Sequence, residues 1–201
     1  MAGEAVRANP AIIAALGDSL VQGYGLPADQ GFVPQMQGWL DANGVEAQLL
    51  NAGVSGDTTA GGLARVDWTL SSDVDALIVS LGGNDVLRGL DPAVSRINLD
   101  GILAAAKVRD IPVLLIGVAA PGNYGADYKA EFDAVFPALS KTYGTLLYPN
   151  FLQALAEMPD RSETIARYFQ PDGLHPNAAG VELIVKSIGP SVAELAELAH
   201  R

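Results

Sequence analysis

Short apolar segments alternate with longer amphipathic segments from Ala11 almost to the end of the chain, and this alternation restricts the fold more than any other feature. Most of the short segments are apolar along their whole length, which is typical of parallel strands covered on both faces. The sequence therefore predicts an α/β fold with a single doubly wound parallel sheet of about five strands, flanked by helices on both faces. The expected strands are residues 11–16, 46–50, 76–81, 113–118 and 145–148.

The segments between these strands have helical periodicity, and several have chemical signals at their ends. Asp91 before Pro92 is a helix cap followed by proline at the first helical position, and Asn43-Gly44 is a typical helix exit. The expected helices are residues 32–43, 61–70, 92–109, 126–143 and 177–198.

A length of 201 residues fits one domain, so we expect residues 1–201 to form a single domain.

Charge and composition exclude several classes of function. The net charge of -11, without a basic cluster, argues against nucleic acid as a partner. The longest apolar run, residues 111–120, is about half of the roughly 20 residues needed to cross a bilayer, so no integral membrane association is expected. Residues 1–10 show no secretory signal, which fits either a cytoplasmic chain or a periplasmic one whose leader has been removed. With no cysteine, the chain has neither disulfides nor a thiol nucleophile.

Ser19 lies directly after the first predicted strand, in the stretch Gly17-Asp18-Ser19-Leu20, where an α/β sheet binds its ligands. Taken alone, such a serine is more often a helix cap or a turn residue. As a nucleophile it needs a base, and His175 is the credible one because His200 is the penultimate residue. Asp172, three positions before His175 in a proline-bracketed turn, is the candidate to orient the imidazole, although the same spacing occurs in ordinary acidic turns.

Two further residues are candidate donors to the oxyanion of an acyl-transfer intermediate. Gly56 follows the second predicted strand and can bring a backbone amide close to a ligand. Asn84 follows the third, where its carboxamide can donate a hydrogen bond. Gly56 can equally serve a turn, and Asn84 a helix cap. The position of all these groups beyond strand ends or in the final loop favours a shared site.

Four blocks of the sequence resemble those of the SGNH or GDSL hydrolases. They are Gly17-Asp18-Ser19-Leu20, Gly53-Val54-Ser55-Gly56-Asp57, Gly82-Gly83-Asn84-Asp85 and Asp172-Gly173-Leu174-His175, in family order. Further stretches are similar to the bacterial acyl-CoA thioesterase I, lysophospholipase and arylesterase group: Gly62-Leu63-Ala64-Arg65, Leu87-Arg88-Gly89 and Asn123-Tyr124-Gly125. Together the blocks span nearly the whole chain.

The resemblance implies a flavodoxin-like sheet, a nucleophile at Ser19, and a triad completed by Asp172 and His175. It implies that the oxyanion donors are the amides of Ser19 and Gly56 and the side chain of Asn84. It also implies that no metal or cofactor takes part. The expected partner is a small-molecule acyl ester or thioester.

The resemblance also implies that residues 85–90 form a mobile lip that moves when substrate binds. Asp85, Leu87, Leu90 and Tyr124 are therefore the tentative substrate contacts, although the apolar ones are equally suited to the core.

The expected function is hydrolysis of carboxylic esters and thioesters through an acyl-serine intermediate. A carbohydrate acetylesterase is an alternative, since it would use the same triad on a small acyl group. A non-catalytic module that binds small ligands on the same sheet is an alternative of another class, because a fold alone does not fix an activity.

Overall fold

The computed structural model describes residues 9–70 and 73–200, and its centre is one parallel sheet of five strands. The strand order is β2-β1-β3-β4-β5, and every neighbouring pair is parallel. The strands are β1 (Ala11–Gly17), β2 (Ala47–Gly53), β3 (Ala76–Ser80), β4 (Val113–Ile116) and β5 (Leu146–Tyr148). The predicted fold class is confirmed.

Nine α-helices and one short 3-10 helix, Gly122–Tyr124, connect the strands within the described residues. The α-helices are α1 (Ser19–Gln22), α2 (Phe32–Ala42), α3 (Thr59–Thr69), α4 (Gly83–Leu87), α5 (Pro92–Lys107), α6 (Ala126–Tyr143), α7 (Gln153–Ala156), α8 (Arg161–Tyr168) and α9 (Ala178–Ala199). Five of them match the predicted helices to within about two residues. The sequence did not predict α1, α4, α7 and α8.

Two strands end two or more residues away from the predicted position. β2 continues to Gly53 instead of ending at residue 50, because Asn51 pairs with Ala15 and Gly53 pairs with Gly17. β4 ends at Ile116 instead of residue 118. The expectation of no secretory signal concerned residues 1–10, of which residues 1–8 lie outside the described part of the chain.

The inner strands β1, β3 and β4 are almost entirely apolar because successive side chains enter two different cores. In β1, Ile13 and Ala15 pack on one face with helices α2 and α9, whereas Ala14 and Leu16 pack on the other with α3, α5 and α6. Both cores contain fully buried aromatic rings, such as Phe32 in the first and Phe132 in the second. The inner strands are therefore covered on both faces, whereas the edge strand β2 is partly exposed.

The chain reverses its direction of winding between β1 and β3, since β2 lies on one side of β1 and all later strands on the other. Ligands of doubly wound sheets bind outside the carboxyl ends of the strands at such a switch point. Ser19 follows β1 and Asn84 follows β3, so both lie at this edge.

Within residues 9–70 and 73–200, no helix has the length and apolar character of a membrane span.

Candidate active site

Ser19 is the first residue of the short helix α1, immediately beyond the end of β1. The side chain of Asp18 caps this helix by accepting a hydrogen bond from the amide of Leu20 at 3.0 Å. The helix lies directly against the end of β2, where a Cβ on Gly53 would meet the amide nitrogen of Gln22 at 2.3 Å. Only a glycine at this position lets α1 come so close to the end of β2. This close contact fixes the Ser19 hydroxyl at the edge of the sheet.

His175 lies in the loop between α8 and α9, and its ring is held by Asp172. The Nδ1 atom of His175 is 2.7 Å from Oδ2 of Asp172, while Oδ1 of Asp172 accepts hydrogen bonds from the amides of Leu174 and His175. The turn is thus closed by the same carboxylate that orients the imidazole. An imidazole whose Nδ1–H is donated to a carboxylate presents Nε2 as an acceptor.

Gln170 ties this loop to the region that follows Ser19. Its amide nitrogen Nε2 donates to the carbonyl oxygens of Tyr24 at 2.8 Å and Pro176 at 3.0 Å. The ring of Tyr24 also lies 4.9 Å from the ring of His175, centroid to centroid. These contacts hold a histidine close to a serine that is 156 positions away in the chain.

The structure brings Ser19, His175 and Asp172 into one hydrogen-bonded series. Nε2 of His175 is 2.8 Å from Oγ of Ser19, in the geometry of a hydroxyl donating to a neutral imidazole. Hydrogen bonds from the His175 amide, the His175 ring and the Leu174 amide lower the pKa of Asp172 to about 2. Asp172 therefore remains ionised wherever histidines ordinarily titrate.

The two predicted oxyanion donors line the same cleft as Ser19. Gly56 has a φ of +82°, a left-handed conformation that L side chains rarely adopt, and its carbonyl oxygen accepts from Arg88 at 2.8 Å. Asn84 lies in the first turn of α4, and its Nδ2 atom donates to the carbonyl oxygen of Asp57 at 2.8 Å. The same Nδ2 is 3.5 Å from Oδ2 of Asp18.

Arg65 on α3 connects the three segments that carry these groups. Its Nη2 donates to the carbonyl oxygen of Gly17 at 2.9 Å, at the end of β1. Its Nη1 donates to the carbonyl oxygen of Ala52 at 2.7 Å, at the end of β2. Its Nε donates to Oδ2 of Asp57, and the carbonyl of Asp57 is the one that accepts from Asn84. This role of Arg65 was not predicted from the sequence.

Asp18 is buried beside the reacting groups. Burial raises its pKa from 3.8 to about 6, although the Leu20 amide and the charge of His175 partly oppose this rise. A carboxyl group of this kind changes its protonation within a mildly acidic range, close to both Ser19 and Asn84.

Ser19 and His175 open into a cleft of about 790 Å³ whose lining is mainly apolar. The largest contribution comes from residues 150–169, where no site residue was predicted from the sequence. Seven apolar residues of this region line the cleft: Phe151, Leu152, Leu155, Ala156, Met158, Ile165 and Phe169. Arg161 is the one cationic residue in the lining among the described residues. The position of this region directly after β5 was the signal that could have indicated it.

The tentative substrate contacts are placed differently from one another. Leu87 is 54% exposed and lines the cleft. Leu90 and Tyr124 are not part of the lining; the carbonyl of Leu90 accepts from Tyr128, and the Tyr124 hydroxyl donates to the carbonyl of Leu87 at 3.3 Å.

The expectation that Asp85 contacts substrate is wrong, because its side chain is fully buried away from the cleft. Its carboxyl oxygens accept hydrogen bonds from the amide and hydroxyl of Thr59 and from the hydroxyl of Ser95. Asn98 extends the group by donating to the Thr59 hydroxyl at 3.0 Å. Asp85 therefore anchors α4 to α3 and α5, and so holds the neighbouring Asn84.

No group of three or more histidine, aspartate or glutamate side chains in the described ranges is arranged to hold a metal ion. The polar groups of the cleft include the hydroxyl of Ser19, the imidazole of His175, the carboxyl groups of Asp18 and Asp172 and the carboxamide of Asn84. These groups are suited to proton transfer and to hydrogen bonding of a polarised carbonyl.

A parallel sheet with a serine, a histidine and an aspartate joined at its carboxyl edge is typical of α/β acylhydrolases. Residues 15–183 match the GDSL-like Lipase/Acylhydrolase family. The chain belongs to this family.

Curated relatives and solved structures agree with this assignment. The chain is 36% identical to Esterase TesA of Pseudomonas aeruginosa over 181 residues, which cover 90% of this chain and 87% of that protein. It is 33% identical to an arylesterase of Vibrio mimicus over 162 residues, covering 80% and 78%. The crystal structure of AlinE4, described as an SGNH-hydrolase family esterase, is 44% identical, covers 94% of this chain and 97% of its own, and has a TM-score of 0.75.

Proposed function

We propose that this protein is a serine hydrolase that cleaves carboxylic esters and thioesters through an acyl-enzyme intermediate on Ser19. The observation that carries the proposal is the series of contacts from Asp172 to His175 at 2.7 Å and from His175 to Ser19 at 2.8 Å. The names of the relatives, an esterase and an arylesterase, support the same class of reaction.

In the first half of the reaction, Oγ of Ser19 attacks the acyl carbonyl while Nε2 of His175 takes the hydroxyl proton. Ionised Asp172 stabilises the imidazolium that forms. The imidazolium then gives its proton to the departing alkoxide or thiolate, leaving an acyl-Ser19 ester. A general base of this kind typically contributes about 100- to 10,000-fold in rate.

The tetrahedral intermediate places a negative charge on the former carbonyl oxygen. We assign its stabilisation to the amides of Ser19 and Gly56 and to the side chain of Asn84. Nδ2 of Asn84 has two protons, of which one is donated to Asp57 at 2.8 Å. The other has only the longer, 3.5 Å contact with Asp18, which a substrate oxygen can replace.

In the second half, His175 removes a proton from water, and the hydroxide attacks the acyl-Ser19 carbonyl. The same donors stabilise the second tetrahedral intermediate. Its collapse returns the proton to Ser19 and releases the carboxylic acid.

The mainly apolar lining of the cleft favours an esterase or thioesterase over a carbohydrate acetylesterase, whose sugar needs polar partners.

The test is labelling with a fluorophosphonate probe together with hydrolysis of p-nitrophenyl esters. We expect the folded wild-type protein to be labelled at Ser19 and the Ser19→Ala variant to be unlabelled and nearly inactive. Ser55→Ala is the matched control, because Ser55 lines the same cleft but donates its hydroxyl proton to Gln22 at 2.9 Å. A Ser19→Ala variant that hydrolysed esters at the wild-type rate would show that Ser19 is not the nucleophile.

A further inference from the structure

Asp18 is a buried carboxyl group that the proposed reaction does not use. Its side chain is 4% exposed, and it lines the cleft immediately before Ser19. One of its oxygens, Oδ1, caps helix α1 by accepting from the amide of Leu20 at 3.0 Å. A helix cap needs only this one acceptor, so the second oxygen, Oδ2, can serve another role.

The second oxygen of Asp18 lies beside Asn84, with 3.5 Å between Oδ2 of Asp18 and Nδ2 of Asn84. Space for this contact depends on Gly83, because a Cβ at that position would lie 3.1 Å from Oδ2. The other neighbour of Nδ2 is the carbonyl oxygen of Asp57, which accepts from it at 2.8 Å. Two acceptors from different loops therefore flank the nitrogen of this carboxamide.

These two acceptors determine which end of the Asn84 carboxamide faces the cleft. A carboxamide has a nitrogen that donates and an oxygen that accepts, and the two ends have nearly the same shape. If the group were reversed, its oxygen would face a carbonyl oxygen and a carboxylate, and both contacts would be repulsive. Repulsion of this kind is strong in a buried site, where water screens charges poorly. The carboxylate of Asp18 thus favours the orientation in which Asn84 can donate to an oxyanion.

We propose that Asp18 is a positioning residue, whose ionised carboxylate holds the Asn84 carboxamide with its nitrogen directed towards the reacting carbonyl. This inference rests on the proposed function, because it concerns a donor to the oxyanion. The role requires ionisation. A carboxylate only accepts hydrogen bonds, whereas a protonated carboxyl group can also donate one to the oxygen of a reversed carboxamide.

Protonation of Asp18 falls in a range that experiments can reach. Burial raises its pKa to about 6, while the charge of His175 lowers this pKa and the charge of Asp57 raises it further. Asp57 is itself paired with Arg65 on α3, and α4 presents the neutral carboxamide of Asn84. Acidification should therefore weaken the alignment of Asn84 in addition to protonating His175.

The experiment is a double-mutant cycle of Asp18→Asn and Asn84→Ala, measured as kcat for p-nitrophenyl butyrate at pH 8. Asp18→Asn keeps the helix cap and the size of the side chain, but its amide can donate as well as accept. In wild type we expect Asp18→Asn to lower kcat by about tenfold with little change in KM, less than the roughly 100-fold that a whole oxyanion donor contributes. In Asn84→Ala the same substitution should change kcat by less than about twofold, because residues that act through one another are not additive.

The pH dependence separates the alignment of Asn84 from general structural damage. The ratio of the wild-type kcat to the Asp18→Asn kcat largely cancels the titration of His175, which both proteins share. We expect this ratio to fall towards one as the pH is lowered from 8 to 5, since Asp18 becomes protonated in wild type over this range.

Gly83→Ala is a second variant, because its Cβ would push Oδ2 of Asp18 away from Asn84 without removing the carboxylate. It should lower kcat in wild type but not in Asn84→Ala. Asp91→Asn is the matched control: Asp91 caps α5 by accepting from the amide of Ala93 at 2.8 Å, is exposed, and does not line the cleft. Its kcat should equal that of wild type at each pH.

Three results would overturn the proposal: an unchanged kcat in Asp18→Asn, a fall of equal size with and without Asn84, or a ratio that does not vary with pH. Failure of the proposed function would be seen differently, as the absence of both ester hydrolysis and Ser19 labelling in wild type.

Discussion

Nε of Arg65 donates to Oδ2 of Asp57 at 2.7 Å, and this ion pair joins helix α3 to the loop that carries Gly56. The remaining nitrogens of the guanidinium bind the carbonyls that end β1 and β2. One side chain therefore fixes the relative positions of the nucleophile and two proposed oxyanion donors.

Arg65→Ala should lower kcat by more than tenfold and destabilise the protein by about 2 to 3 kcal/mol, because it leaves a carboxylate and two carbonyls without their donor. Arg65→Lys should restore little, since a single ammonium cannot reach three acceptors in the planar arrangement of a guanidinium. Ester hydrolysis and urea unfolding measure the two effects. Arg109→Ala is the control: its ion pair with Asp67 is exposed and should contribute less than about 1 kcal/mol. Equal effects of Arg65→Ala and Arg109→Ala would contradict this role.

Asn84→Ala should reduce kcat by about 100-fold, since the loss of one oxyanion donor typically costs roughly 3 kcal/mol in the transition state. The KM for the same ester should change little, because the donor acts on charge that develops after binding. Steady-state kinetics separates the two parameters. Asn98→Ala, which removes a half-buried asparagine bound to Thr59, should leave kcat within a few-fold of wild type. A rise in KM without a fall in kcat would assign Asn84 to substrate binding.

Asp85→Ala should destabilise the protein by about 3 kcal/mol, because it removes the acceptor of three hydrogen bonds in a fully buried group. Activity towards all esters should fall together as Asn84 loses its anchor, while the chain-length preference stays the same. Thermal unfolding and the ester panel measure these effects, and the exposed Asp127→Ala is the control. A selective loss of long-chain activity would instead restore Asp85 as a substrate contact.

Asp18 should make the protein less stable as the pH rises from about 4 to above 6. Its pKa is raised from 3.8 to about 6 in the folded state, so folding favours the protonated form. The resulting stabilisation is complete below the lower value and is lost as the pH passes the higher one, a change of about 3 kcal/mol.

Asp18→Asn keeps the helix cap but does not titrate, so the variant should lack this part of the pH dependence. Urea unfolding at pH 4, 5, 6 and 7 tests the difference between the two proteins, and the exposed Asp29→Asn should follow wild type. Parallel curves for wild type and Asp18→Asn would show that burial does not shift this carboxyl group.

The sequence predicted the fold because strand periodicity and helix ends are local properties. It also placed Ser19, Gly56 and Asn84 after strands, and a parallel sheet brings such positions to one edge. The direction of the Asp85 side chain was not predictable in this way, since its partners Thr59 and Ser95 come from two other helices.

The apolar cleft lining from residues 151–169 was missed for a related reason. Helix α8 is short and mostly polar, so the sequence did not predict it. The apolar residues of this region do not repeat with the period of a strand or of a single helix, and only the folded chain collects them around one cavity. The role of Arg65 was likewise not predictable, because two of its three acceptors are backbone carbonyls, which the sequence does not distinguish.

The hydroxyl, the proposed oxyanion donors and Arg65 all come from the first 90 residues, whereas Asp172 and His175 follow α8. The nucleophile and its base are therefore supplied by distant parts of the sequence, which only the folded sheet brings together. A chain that ended before Asp172 would keep the serine but would have no acceptor for its proton.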